Sequence, residues 1–151
     1  MPKNIYKLIL SIGICLGAGI LGSFFTTSAI PTWYQTLNKP FFSPPNWIFA
    51  PVWTTLYILM GISLYLVWQK KKVASVFWIQ LFLNTVWSMI FFGIKNPGLA
   101  LVEIVVLWVA IFLTIKAFYK INKLAGQLLL PYLIWVSFAF ILNFSIVILN
   151  P

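Results

Sequence analysis

The stretch that decides the fold runs from Asn38 to Tyr57 and reads NKPFFSPPNWIFAPVWTTLY. It holds four prolines and six aromatic residues in one continuous segment. Proline removes a backbone donor and restricts the residue before it, so the segment up to Pro45 is predicted to be a loop. The apolar run after Pro45 is predicted to start a helix, and further long apolar runs lie on both sides. Any functional site is therefore expected where this stretch meets the other helices.

The composition of the whole chain is that of a membrane protein. Of its 151 residues, 62% are hydrophobic and 7% are charged, which is too little charge to cover the surface of a soluble domain. Five apolar segments are long enough to cross a bilayer, at roughly 20 residues each. The predicted fold class is therefore all-α, an integral membrane bundle of five transmembrane helices in a single domain over residues 1–151. The helices are expected at residues 5–28, 45–69, 74–93, 98–119 and 125–149, with residues 29–44 as the one long loop.

The loop carries Trp33, Tyr34, Phe41 and Phe42, which are too apolar for a free solvated segment. Two interpretations of these rings stay open. They anchor the loop at the membrane interface, or they fold over the mouth of the bundle as a lid.

Prolines also predict the shape of the second helix. Ser43 followed by Pro44 is typical of a helix N-cap and a first helical residue. Pro51 falls about two turns later, where it removes a backbone hydrogen bond to Trp47 and predicts a kink.

Small residues mark one face of the first helix. Gly13 and Gly17 form a GxxxG pattern, and Ala18 with Gly22 continues the spacing. Such faces let helix backbones approach closely. The pattern indicates packing against another helix of the same bundle or, as the second interpretation, a homodimer interface.

The lysines predict the orientation in the membrane. Eight of them fall on one side of a five-helix arrangement, and Lys39 and Lys95 fall on the other. The eight are Lys3, Lys7, Lys70, Lys71, Lys72, Lys116, Lys120 and Lys123. The positive-inside rule then places the N terminus in the cytoplasm, and the aromatic loop and the C terminus outside. Since no basic stripe is interleaved with polar residues, nucleic acid is not expected as a partner.

The residue types that are missing exclude several chemistries. The chain has no histidine, one cysteine (Cys15) and one acidic side chain (Glu103). A Ser-His-Asp triad and a carboxylate pair are therefore excluded, and no metal site is expected. Glu103 lies about two turns into the fourth helix. An intramembrane carboxylate is a functional candidate, while the alternative is a structural glutamate that is neutral or paired with a lysine such as Lys95.

Three predicted helices each carry a stripe of aromatic and amide side chains on one face. The stripes are Trp53 and Tyr57; Gln80, Asn84, Trp87 and Phe91; and Trp135, Phe138, Ala139, Leu142 and Asn143. Amides are costly in hydrocarbon unless they are paired, so the stripes should face the bundle interior. Pockets for flat apolar ligands are mostly aromatic with a few placed polar groups. The stripes indicate the walls of such a pocket or, alternatively, helix-to-helix hydrogen bonding with ordinary aromatic packing.

Several motifs along the chain resemble the translocator protein / tryptophan-rich sensory protein family. They are GSFFT at 22–26, WYQTLNKP at 33–40, SPPNWIFAPVWTTLY at 43–57, QLFLNTVWS at 80–88 and LLLPYLIWVSFA at 128–139. They follow one another in the family's order over nearly the whole chain, which makes the resemblance specific.

The resemblance implies a five-helix bundle, commonly a homodimer, in a bacterial plasma membrane. Its pocket opens toward the loop after the first helix and binds porphyrins, sterols and synthetic aromatic ligands, and no cofactor is required. Carried over by position, the ligand-binding residues are Trp33, Trp47, Trp53, Tyr57, Asn84, Trp87, Phe91, Trp135, Phe138 and Ala139.

Two positions depart from the family's pattern. Leu99 stands where many relatives have an aromatic residue at the start of the fourth helix. Phe144 follows Leu142 and Asn143 with no lysine or arginine after it, so the cholesterol-recognition pattern of vertebrate members is incomplete. The family's acidic position in the fourth helix is kept as Glu103.

Three functions follow from these observations, in order of preference. The first is a membrane sensor that binds a porphyrin in an aromatic pocket and has membrane lipid as a further partner. The second is light- and oxygen-dependent porphyrin breakdown, in which Trp53 and Trp135 are the candidate catalytic residues. The third is transport of porphyrin, lipid or sterol, although no nucleotide-binding motif is present.

Overall fold

The fold is a bundle of long helices, as the apolar segments predict. A computed structural model describes residues 2–151, with side chains from Asn4 onward. The helices are α1 (Pro2–Ala29), α2 (Phe49–Trp68), α3 (Ser75–Ser88), α4 (Pro97–Ile121), α5 (Lys123–Leu128) and α6 (Leu130–Leu149). No strand occurs between residues 2 and 151. Five segments are long and apolar enough to cross a membrane, which confirms the predicted all-α class.

The fifth membrane span consists of two helices. It covers Lys123–Leu149 and is interrupted at Leu129, where α5 ends and α6 begins with Pro131 in its first turn. Proline has no N–H to donate and is tolerated at the start of a helix. Pro131 therefore fixes the point at which the chain restarts.

Pro51 acts at the start of α2 and not in its interior. A single 3₁₀ turn, Asn46–Ile48, precedes α2, which begins at Phe49. Pro51 thus lies in the first turn, where a backbone N–H has no partner within the helix in any case. The expected helix start at residue 45 and the kink near Trp47 are replaced by this turn. Ser43 does not cap it either, because Pro45 is the residue before the turn and no side chain caps it.

The end of the third span widens into a π turn. Residues Met89–Gly93 form it, and the N–H of Ile94 donates to the carbonyl of Met89 at 2.8 Å. Such a turn rotates successive side chains differently from an α-helix. Consequently the adjacent rings of Phe91 and Phe92 are both buried.

The small residues of α1 have two different environments. A Cβ added at Gly19 would collide with the ring of Tyr57, and one at Gly22 would lie 3.2 Å from the Oγ of Ser88. Nothing lies within 4 Å of a Cβ at Gly13 or Gly17. The prediction that those two glycines pack against another helix of the bundle is therefore wrong for the described side chains, and the homodimer interface stays a prediction.

The two ends of the bundle differ in charge. Because the spans alternate in direction, one end collects seven described lysines: Lys7, Lys70, Lys71, Lys72, Lys116, Lys120 and Lys123. We call it the lysine-rich end, and the opposite end, which carries residues 30–45, the loop end. The side chain of Lys3 lies outside the described part.

The loop packs its rings mainly inward. Trp33 meets Phe91 edge-on at 5.6 Å between ring centroids, and Phe42 meets Phe138 at 6.1 Å. Tyr34 is 2% exposed, and burial raises the pKa of its hydroxyl. Phe41, in contrast, is fully exposed. Trp33, Tyr34 and Phe42 thus pack inward, as the lid interpretation expects, and Phe41 is exposed, as the anchor interpretation expects; both interpretations stay predictions.

Candidate functional site

A cavity of about 210 Å³ lies in the half of the bundle nearest the loop end. Four spans and the loop contribute its walls. The lining comprises Gly19, Gly22, Ser23, Thr26 and Thr27 of α1; Ile30, Tyr34 and Asn46; Phe49, Ala50, Trp53 and Tyr57 of α2; Trp87, Ser88, Phe91 and Phe92; and Trp135, Phe138, Ala139, Leu142, Asn143 and Ile146 of α6.

Seven of the ten sequence-predicted ligand-binding residues line this cavity. They are Trp53, Tyr57, Trp87, Phe91, Trp135, Phe138 and Ala139. The other three, Trp33, Trp47 and Asn84, lie elsewhere. Both residues named as catalytic candidates, Trp53 and Trp135, are among the seven.

Asn84 lies behind the wall and holds it in place. It is 3% exposed and accepts a hydrogen bond from the hydroxyl of Tyr57. Its Nδ2 donates to the hydroxyl of Tyr132 at 2.7 Å. That hydroxyl donates in turn to Oε1 of Gln80 at 2.8 Å. The amides on α3 thus serve a buried hydrogen-bond chain that fixes the ring of Tyr57, which faces the cavity.

The two remaining tryptophans lie outside the cavity lining for different reasons. Trp33 lies outside the cavity lining, where its ring packs against Phe91 and Phe92. Trp47 belongs to the 3₁₀ turn and is 72% exposed. The family resemblance alone placed Trp47 at the pocket, and here the residue lies in the turn before α2 with its side chain outside the cavity lining.

Trp53 is held between two tyrosines. Its ring stacks on that of Tyr57, with 5.7 Å between centroids and 29° between planes. It also meets the ring of Tyr132 edge-on at 6.3 Å. Because both tyrosines are tied to Asn84, the face that Trp53 presents is rigidly supported.

Trp87 and Asn143 join three elements across the cavity. Trp87 stacks on Phe91 at 5.0 Å and its Nε1 donates to Oδ1 of Asn143 at 3.1 Å. The Nδ2 of Asn143 donates to the carbonyl of Pro97 at 3.0 Å. This amide therefore satisfies the half-buried indole and also ties α6 to the start of α4.

Trp135 has no comparable partner. Its ring packs against Phe49 at 6.3 Å and Phe138 at 5.4 Å. Its Nε1 is buried and finds no acceptor among the described residues. Trp53 and Trp135 lie on different walls of the same cavity.

The α1 wall was not predicted from the sequence. Its members are small, and the hydroxyl of Thr27 donates back to the carbonyl of Ser23 at 2.9 Å. Thr26 does the same toward Gly22 at 3.2 Å. The hydroxyl oxygens are thus left as acceptors beside the aromatic rings. The only sequence signal for this wall is the repeated small residue at every third or fourth position of α1, which indicates a packing face or a homodimer interface but not a cavity wall.

Glu103 is not part of the cavity lining. Both of its carboxylate oxygens are buried and have no hydrogen-bond partner among the described residues. The alternative that pairs it with Lys95 is therefore wrong for the described side chains. A functional role for this carboxylate stays a prediction.

The walls suit one kind of ligand. Rings from three spans and the loop surround the space, with hydroxyl oxygens on the α1 side. Flat aromatic molecules gain from stacking and edge contacts with such walls. Within the described residues, no group of three or more His, Cys, Asp or Glu side chains is present.

Comparison with known proteins identifies relatives over almost the full chain. Residues 11–149 match the TspO/MBR family. The chain is 49% identical to the tryptophan-rich protein TspO of Archaeoglobus fulgidus, covering 97% of this chain and 99% of the relative. It is 49% identical to the protein of the same name from Chlorobaculum tepidum, over all of both chains. It is 40% identical to the human translocator protein, covering 83% of this chain and 79% of the relative.

The family match covers residues 11–149, which contain nearly all of the five apolar spans. This integral membrane protein belongs to the TspO/MBR family.

Proposed function

We propose that this protein is a membrane sensory or translocator protein that binds a metal-free porphyrin in the cavity at its loop end. The observation that carries the proposal is the convergence of Trp53, Trp87 and Trp135 from three different spans on one cavity. A porphyrin is flat, apolar and aromatic on both faces, so rings on several sides match its shape. The names of the relatives, tryptophan-rich sensory protein and translocator protein, support the same role.

The lining favours a porphyrin without metal. Haem is usually held by a histidine, cysteine, methionine or tyrosine ligand. The chain has no histidine, and Cys15, Met60 and Met89 lie outside the lining. Two tyrosines do line the cavity, but the hydroxyl of Tyr57 donates to Asn84 and the ring of Tyr34 packs against Phe91 and Phe92. A free porphyrin needs no such ligand, so we expect it to bind at least as tightly as haem.

Tryptophan fluorescence tests this proposal. We expect metal-free protoporphyrin at micromolar concentration to quench the fluorescence of the purified protein by energy transfer. Ala139→Phe places a ring inside the cavity. It should raise the porphyrin concentration needed for half-maximal quenching at least about tenfold. Leu113→Phe adds the same ring on an exposed position of α4 and should leave the titration unchanged. Quenching that is absent, or equal in both variants, would contradict porphyrin binding at this site.

We further infer that the protein lies in a bacterial plasma membrane with its lysine-rich end in the cytoplasm. Seven described lysines at one end and two at the other support this orientation under the positive-inside rule. A reporter fused after Pro151 should then be active only outside the cytoplasm. Reporter activity in the cytoplasm would reverse the orientation.

Porphyrin breakdown driven by light and oxygen is a second candidate function. Trp53 and Trp135 support it, because both indoles line the cavity and would lie against a bound macrocycle. In this reaction dioxygen is the oxidant and the excited porphyrin is the molecule oxidised, with the indoles as nearby redox-active groups. Illumination of the complex in air should remove the porphyrin absorbance band faster than in Trp53→Phe and Trp135→Phe proteins. Equal loss in all three would mean ordinary photobleaching.

A further inference from the structure

The loop end of the cavity is closed. Tyr34 lines the cavity and is 2% exposed. Beyond it, the loop is fastened to the end of α6 by three hydrogen bonds between residues far apart in the chain. The backbone N–H of Asn38 donates to Oδ1 of Asn150 at 2.9 Å, and Nδ2 of Asn150 donates to the carbonyl of Asn38 at 2.8 Å. The Nδ2 of Asn38 also donates to the carbonyl of Leu149 at 3.3 Å.

The exposed part of the lining is confined to one side. Three lining residues are exposed: Thr27 near the end of α1, Asn46 in the 3₁₀ turn, and Ala50 in the first turn of α2. The lining residues of α3, its π turn and α6 are all buried or half-buried. The opening is therefore a slot between α1 and α2, at the side of the bundle.

The slot has a defined depth. Below its exposed rim it is lined by Ser23 and Trp53, both half-buried. It ends where the ring of Tyr57 packs directly on Gly19, since a Cβ there would collide with that ring. Further toward the lysine-rich end the two helices are in backbone contact, because a Cβ at Gly61 would lie 2.5 Å from Cα of Ile12. The helices thus touch in one half of the bundle and separate in the other.

Large apolar side chains are exposed beside the slot. Phe24 of α1 is 69% exposed and Trp47, beside Asn46, is 72% exposed. Large exposed aromatic rings near the ends of membrane spans are typical of the bilayer interface. The rim itself is polar at Thr27 and Asn46, and it becomes aromatic at Trp53. A flat molecule dissolved in the membrane would meet these groups in that order.

From this geometry we infer that the cavity exchanges its ligand sideways with the membrane leaflet at the loop end, through the slot between α1 and α2. The inference rests on the proposed function, and it adds that the ligand arrives from the lipid phase. The loop then stays in place during exchange, and the ligand does not pass through it. A ligand class follows as well, since a molecule that uses this route has to partition into lipid.

Reversible cross-linking distinguishes the slot from the loop. In one variant, Thr27→Cys and Ala50→Cys are joined across the slot by a thiol cross-linker that a reductant cleaves. In the matched variant, Asn38→Cys and Asn150→Cys are joined across the loop fastening. Cys15 is fully buried and stays in place, and the cross-linker-treated parent protein controls for it. Each protein is reconstituted in vesicles, and the time course of tryptophan quenching by metal-free protoporphyrin is followed.

We expect the slot cross-link to slow quenching at least about tenfold, as for a gated site whose gate is held shut. Reductant should restore the original rate, which also shows that the variant is folded. The loop cross-link should leave the rate unchanged. Slowing by the loop cross-link alone, or equal slowing by both, would overturn the inference. A complete lack of quenching in the untreated parent would instead remove the proposed function, and the inference with it.

A second pair of variants covers the case in which the double-cysteine protein does not fold. Thr27→Cys and Leu113→Cys, each labelled with a bulky maleimide, place the same group at the slot and on an exposed position of α4 outside the lining. Slower porphyrin uptake only with the label at position 27 supports the slot. Equal uptake rates for the two labelled proteins would contradict it.

Discussion

At the scale of single residues, Asn84 shows how one amide shapes the cavity without lining it. It accepts from Tyr57 and donates to Tyr132, and Tyr57 supports the stacked ring of Trp53. Replacement by leucine keeps a similar volume but leaves the buried hydroxyl of Tyr57 without its acceptor. An unsatisfied buried group costs about 1–3 kcal/mol, although hydrogen bonds between membrane helices average nearer about 0.6 kcal/mol. We predict that Asn84→Leu lowers the free energy of unfolding in detergent by about 1–2 kcal/mol.

A double-mutant cycle provides the control for that prediction. Tyr57→Phe removes the hydroxyl whose acceptor is lost in Asn84→Leu. In the Asn84→Leu background, Tyr57→Phe should therefore cost less than in the parent protein, since its partner is already absent. Strictly additive losses would show that the two side chains do not act as one unit.

At the scale of elements, the contact between α1 and α2 depends on Gly61. A Cβ at Gly61 would lie 2.5 Å from Cα and 2.9 Å from N of Ile12. Backbone atoms cannot rotate away as a side chain can, so Gly61→Ala forces the two helices apart. We predict a loss of about 1–3 kcal/mol in the free energy of unfolding, the usual cost of overpacking.

Gly17→Ala is the matched control for Gly61→Ala. Nothing lies within 4 Å of a Cβ at Gly17, and alanine is favoured over glycine in a helix by up to about 1 kcal/mol. We therefore expect a neutral or slightly stabilising effect. A destabilised Gly17→Ala protein would indicate that a second chain covers this face, as the homodimer prediction requires. A Gly61→Ala protein as stable as the parent would contradict the close helix contact.

The five spans could be predicted from the sequence, but the two local turns beside them could not. The apolar lengths predicted all five spans, because the bilayer thickness sets them directly. The 3₁₀ turn before α2 and the π turn after Ser88 were not predicted. Neither changes the apolar pattern, and both depend on how aromatic rings such as Phe91 and Phe92 fit against their neighbours. These local turns decide which rings reach the cavity.

At the scale of the whole molecule, the three stripes predicted most of the aromatic residues that line one cavity. The spacing of Trp53 with Tyr57, of Trp87 with Phe91, and of the residues on the last helix identified the side chains that share a face. It could not show that small residues of α1 form the opposite wall, because a GxxxG-like pattern does not say what packs against it. It also could not separate a residue that lines a cavity from one that supports the wall, as Asn84 does.

The most direct test of the central claim is a structure of the protein with metal-free protoporphyrin bound. We predict that the macrocycle lies in the cavity at the loop end, between Trp53 on one side and Trp87 with Phe91 on the other, and that Asn84 keeps its bond to Tyr57. A macrocycle bound instead in the lipid-facing groove between α4 and α6, beside Trp108 and Phe140, would contradict the claim.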